Sequence, residues 1–184
     1  MKFLVLTAMF AQALVAQHAQ VQLDNAHTRV GWTLTDVLHT VHGTFRITTS
    51  DLWFEASSGR AGGQIVVDAR SGESGSSARD SRMKKNVLQS DRFPDITFVP
   101  DRVEGNVNLQ GDSDLQLHGL FTIHGASHAV LMPVKTHIDH GKLQAVITFS
   151  VPYVKWGMKS PSTLFLKVND SVEIEIKAEG AIVN

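Results

Sequence analysis

Three histidine pairs are the first candidates for chemistry in this 184-residue chain. His39 and His42 lie three apart, as do His137 and His140, and His124 and His128 lie four apart. On a helix such spacings gather imidazoles on one face, which is how two ligands of a zinc site are brought together. On a strand a separation of three sends the rings to opposite faces. The last pair also straddles a turn signal at Gly125. Neutral surface histidine is therefore the reading, and no metal site is assigned. Serine, histidine and aspartate are plentiful but spread, and no nucleophile-elbow or phosphate-loop motif occurs, so no catalytic residue and no enzyme is expected. The chain has no cysteine, which removes disulfides, a thiol nucleophile and cysteine-based zinc sites. A basic group remains: Arg79, Arg82, Lys84 and Lys85. It has the chemistry to hold an anionic headgroup, by point charge or guanidinium fork. The same four residues also fit a solvated helix face.

These residues sit among short strands. Val172, Ile174, Ile176 and Ala178 alternate with Glu173, Glu175, Lys177 and Glu179, giving one dry face and one wet face. The same period of two recurs at Val30, Trp32 and Leu34, at Val41, Phe45 and Ile47, and at Leu115, Leu117, Phe121 and Ile123. It returns at Leu143, Ala145, Ile147, Phe149 and Val151, with shorter runs near Ile65, Phe98 and Val130. Turn signals such as 57-SSGRAGG-63, 110-QGDSD-114 and 139-DHGK-142 separate the runs. About eight strands with local connections predict an antiparallel barrel or sandwich. Polar outer faces exclude a parallel sheet buried on both sides. One charged segment interrupts the pattern. Ser77 and Asp80 have capping-box spacing, and Met83 and Val87 share a helical face, which predicts one principal helix near 77–90. So narrow an apolar stripe needs a surface to lie on. Pro94 ends the helix.

The chain opens MKFLVLTAMFAQALVAQHAQ. Lys2, the apolar run Phe3 to Phe10 and the small-x-small stretch from Ala11 to Ala13 fit a signal peptide over 1–19, with cleavage between 13 and 19. The run is too short to span a bilayer, and no later stretch is long enough. Residues 20–184 then form one domain in the periplasm or outside the cell. A net charge of −1 supplies no field for nucleic acid.

Four stretches in order resemble one known family. They are 24-DNAHTRVGWTL-34, 41-VHGTF-45, 79-RDSRMKKNVL-88 with 93-FPDITF-98, and 119-GLFTIHGASHAVLMPV-134. Together they resemble the YceI-like family of polyisoprenoid-binding, lipocalin-like secreted proteins, in a divergent branch. The divergence shows at 90-SDRF-93, which is contracted, and at 153-YVKWGMKSP-161, which replaces the usual late motif. The resemblance implies an all-β fold with one principal helix, an extended eight-stranded antiparallel barrel. It implies an interior that holds a long isoprenoid or quinone-like amphiphilic lipid, and a helix that closes the tunnel.

On their own, the apolar stripes read as ordinary filled core rather than as a ligand wall. The resemblance selects the wall: Trp32, Leu34, Val41, Phe45, Phe98 and Leu117, with Phe121, Ile147 and Phe149, and Met83 and Val87 from the helix. Arg79 and Arg82 are the headgroup candidates, Arg79 matching the family's Arg-Asp pair. No cofactor is expected beyond such a lipid, and a homodimer is left open. The alternative is a ligand-free barrel acting as an interaction or stress-response module, which a filled interior would favour.

Overall fold

The computed structural model describes residues 18–36, 39–162 and 167–183. The expected signal peptide lies outside the described residues as far as residue 17. Among the described residues nine antiparallel strand segments and one helical segment follow in order. They are β1 (Ala19–Leu23), β2 (Arg29–Thr35), β3 (Thr40–Phe54), β4 (Ala61–Glu73), α1 (Ser77–Arg82) with a π-helical continuation (Met83–Val87), β5 (Asp95–Glu104), β6 (Gly111–Ile123), β7 (Ala126–Asp139), β8 (Lys142–Val151) and β9 (Val172–Val183).

The nine segments occupy eight places in a closed barrel. β3 pairs with β4, the order then runs through β5, β6, β7, β8 and β9, and β2 joins β9 back to β3. β1 and β2 share one place, because both lie between β3 and β9. β1 takes the lower part, from Val21↔Leu52 and Leu23↔Gly180 downward, and β2 takes the upper part, from Val30↔Phe45 and Val30↔Ile176 upward. A turn at Asp24 makes the break. Its carboxylate accepts from the backbone N–H groups of Ala26 and His27 and its carbonyl from Thr28. The His27 ring at 2.7 Å holds the Asp24 carboxyl below its ordinary range. Closure removes most of the free edge that an open sheet must protect.

Sequence chemistry sets the hairpins. His124–Gly125 and His140–Gly141 both have positive φ at both residues, the geometry of two-residue hairpin turns that match strand twist. Alternation sets the facing. Ile174 and Ile176 border the interior while Glu173 and Glu175 are exposed.

The helical segment departs from the expected capping box. Ser76 is the N-cap, and it makes no side-chain cap bond. Asp80 instead accepts from the Ser74 hydroxyl, outside the helix. The α-helix lasts only from Ser77 to Arg82, after which Leu88 N–H bonds to Met83 O in a wider π turn. The widening keeps Met83, Val87 and Leu88 together on the barrel side. The segment covers the gap between upper β4 and the start of β5, whose ladder reaches only from Ile65↔Phe98 to Asp68↔Asp95. Gly72 on β4 makes room for it: a Cβ there would lie 2.5 Å from both Met83 Cε and the Phe45 ring.

Candidate functional site

The barrel encloses a cavity of about 650 Å³. An eight-stranded ring is just wide enough to hold a small ligand or to fill itself with side chains, and here space is left. The volume falls in the ordinary range of ligand pockets, about 300–1,000 Å³.

The wall is built by the inward residues of every strand. Trp32 and Leu34 come from β2, Val41 and Phe45 from β3, and Phe98 from β5. Leu117 and Phe121 come from β6, and Ile147 and Phe149 from β8. Met83 and Val87 come from the helical segment, and all eleven border the cavity. Period two explains most of the strand set, whose backbone neighbours face away; at β5 it is broken, since Thr97 borders the cavity beside Phe98. Trp32 is 5% exposed and lies against Gly43, where a Cβ would come within 2.3 Å of the indole. Glycine there is what lets the indole lie flat against the wall. Phe121 meets Phe149 edge-on at 5.7 Å.

The two ends differ. At the lower end Ala19, Phe54 and Ala61 pack together, above them Ile138, Leu143 and Ala178. No charged residue of this end is in the described cavity lining, and the carboxylate of Glu55, buried beside Phe54, accepts from the Ser58 hydroxyl. At the upper end stand the charged residues of the described lining, Asp36, Arg79 and Arg82. Arg79 is tied down: its Nε donates to Ser74 Oγ at 2.8 Å and its Nη2 to Ser74 O at 3.2 Å. It pins the start of the helix. Arg82 is exposed and has no such bond among the described residues. Lys85 is exposed and Lys84 half-buried, and both lie along a polar outer groove with Arg70 and Glu73, away from the cavity.

Sequence reasoning missed the cap. Tyr153, Met158 and Val168 are buried and border the cavity. They come from the irregular segment between β8 and β9, where no periodicity could announce them. The segment is fastened to β2 by the Asn169 N–H on Thr35 O at 3.1 Å and by the Asp36–Val168 bridge. Burial pushes the Tyr153 phenol above its ordinary pKa.

The histidines need one correction. His124 and His128 are not surface residues: both are half-buried, and each has a buried Nε2 without a partner among the described residues. His124 packs on Phe93 at 4.7 Å, and His128 stacks on Trp156 at 3.9 Å. Among the described residues no three His, Asp or Glu side chains gather as a metal-holding group. No described helix is long and apolar enough to cross a membrane.

A family model described as YceI-like domain matches residues 21–180. No curated protein matches the chain. Among solved structures the chain is similar to BcnA of Burkholderia cenocepacia, with TM-score 0.70 at 16% identity, covering 85% of this chain and 98% of that one. It is also similar to a polyisoprenoid binding domain from Saccharophagus degradans implicated in plant cell wall breakdown, with TM-score 0.69 at 11% identity, covering 89% and 98%. A Campylobacter jejuni YCEI protein gives TM-score 0.53 at 12% identity, covering 100% and 94%. At these identities the likeness is one of fold.

Proposed function

Since the chain belongs to the YceI-like family, we propose that it is an exported, non-enzymatic binding protein that carries or sequesters one long isoprenoid-like amphiphilic lipid in its barrel. The observation that carries this reading is the open apolar interior with charge at one end only. Apolar burial is worth about 0.8 kcal/mol per methylene. A few five-carbon units therefore offset the roughly 4–15 kcal/mol cost of association. The tail lies toward the Phe54–Ala61 end and the polar head toward Arg82, with Arg79 holding the helix that presents it.

A ligand-free module fits the interior less well. An apolar space of about 650 Å³ left without a ligand forgoes the contacts that a filled core makes, a loss that a bound apolar chain removes.

A quinone with an isoprenoid tail quenches indole fluorescence on contact and so reports on Trp32 and Trp53, which both border the cavity. Titrating the purified protein with such a quinone should quench emission saturably, and Trp32→Phe should remove a large part of the change. A linear, non-saturating response in the parent would count against the reading. Arg82→Gln should weaken a diphosphate-headed isoprenoid about tenfold, the loss of one charge-assisted contact, and a neutral one hardly at all.

A further inference from the structure

β7 and β8 are paired only over their lower halves. Their register runs from Asp139↔Lys142 to Val134↔Ile147 and stops. Above that point each strand is held on its other side alone: β7 by β6 up to Ile123↔Ala126, and β8 by β9 up to Val151↔Val172. No described backbone hydrogen bond bridges the upper seam. Pro133 stands where the strands part, and it has no N–H to offer a ladder. At the same height β6–β7, β8–β9, β2–β9 and β2–β3 are all zipped, and the gap beside β4 is covered by the helical segment.

Side chains fill the seam. His128 of β7 lies parallel to Trp156, from the segment after β8, with ring centroids 3.9 Å apart and planes 5° apart. The His128 Nε2 has no hydrogen-bond partner among the described residues, so on that side the pair is held by ring contact. Phe121 lies 6.0 Å from Trp156 and, with Phe149, borders the cavity. On the outer face beside the seam, Leu131 is 55% exposed and Leu120 46%, an apolar approach to it.

We propose that the upper seam between β7 and β8 is a lateral portal to the cavity, gated by the Trp156–His128 stack, through which a single extended apolar chain enters side-on. The proposal rests on the reading of the cavity as a lipid site and adds the route. Opening this seam parts the ring contacts of His128 and Phe121 with Trp156 and of Phe121 with Phe149, and no ladder hydrogen bond. Opening any of the zipped seams breaks paired backbone groups, which are costly to leave unmade. A long chain need not thread end-first past the charged residues at the mouth.

The test uses diphenylhexatriene, a rod-shaped apolar fluorophore, loaded into the purified protein and timed as it transfers to phosphatidylcholine vesicles. Trp156→Ala and His128→Ala are each expected to speed transfer about tenfold, the scale of one lost aromatic pair, with equilibrium occupancy within about twofold of the parent. A further variant carries Leu131→Cys and Ser150→Cys, which face each other if the Val134↔Ile147 register is continued upward. The chain has no other cysteine, so a bis-methanethiosulfonate linker bridges only this pair. The bridge is expected to slow transfer about tenfold, as expected where opening limits exchange, and dithiothreitol should restore the rate. Unchanged transfer in a bridged protein that holds the probe normally overturns the portal and leaves the cavity reading standing. Failure of the parent to retain the probe at all overturns both.

Discussion

The Tyr153 hydroxyl donates to the Asn169 carbonyl at 2.7 Å, and this bond ties the two ends of the segment that caps the barrel. Tyr153 follows β8 by two residues and Asn169 precedes β9 by three. Residues 154–162 leave the wall and cover the upper cavity with Met158, and residues 167–169 lead into β9. Tyr153 is 4% exposed, so the bond is made out of water, where an unmade partner is expensive.

Tyr153→Phe should therefore lower stability by about 1–2 kcal/mol, read from urea unfolding, since the Asn169 carbonyl is left without its partner. The pH dependence has a definite sign. Burial raises the folded phenol pKa above its ordinary value, so the fold favours the protonated form. That contribution is complete below the unfolded pKa of about 10 and is lost as pH rises through the higher folded value. The parent should lose stability in that alkaline range more steeply than Tyr153→Phe. Parallel alkaline profiles would show that the phenol does not titrate with folding.

Gly72→Val tests how the helical segment is seated. The added Cβ meets Met83 Cε and the Phe45 ring at 2.5 Å, so the segment must lift or the rings must turn. The expected cost is about 1–3 kcal/mol, the range for overpacking a tight site. Fluorescent-lipid retention should fall with it. Unaltered stability and retention would mean that the segment does not rest on β4.

Met83→Ser with Val87→Ser addresses the role of the segment as a tunnel wall. Both side chains border the cavity and are half-buried, not fully packed. The pair should reduce bound isoprenoid per mole of folded protein more than it lowers the melting temperature, with folding checked by circular dichroism. Equal lipid in parent and variant would reduce the segment to a structural cover.

Export predicts a mature N-terminus, and the barrel narrows it. Ala19 is 9% exposed and opposite Phe54, and the His18 ring stacks on Trp53 at 4.6 Å. A cut that keeps β1 whole leaves the first mature residue between Leu14 and Ala19. Sequencing of the native protein's N-terminus checks this, and retention of Met1 would end the export reading.

Some of this was legible in the residues, and the rest was hidden for physical reasons. β9 was plain because Glu173, Glu175 and Glu179 alternate with Ile174, Ile176 and Ala178, and nothing but a half-buried strand explains that pattern. The wall residues followed from the same period. Whether they enclosed space or filled it did not, because side-chain identity alone does not report the ring's diameter. β1 was hidden because Ala19, Val21 and Leu23 run on from an apolar N-terminal stretch of sequence. The Met83–Val87 spacing fits an α turn and a π turn alike, so the widening went unseen. The inward ring of His128 was within reach. A two-residue turn at His124–Gly125 fixes the register, which places His128 opposite Phe121.

Whether this barrel holds a lipid is decided by mass spectrometry of the organic extract of protein purified from its native host. One dominant polyisoprenoid-tailed species is expected at close to one mole per mole of folded protein, depleted in the Met83→Ser, Val87→Ser variant. An extract with no lipid above the level of an unrelated protein prepared in parallel would contradict the lipid-carrier reading.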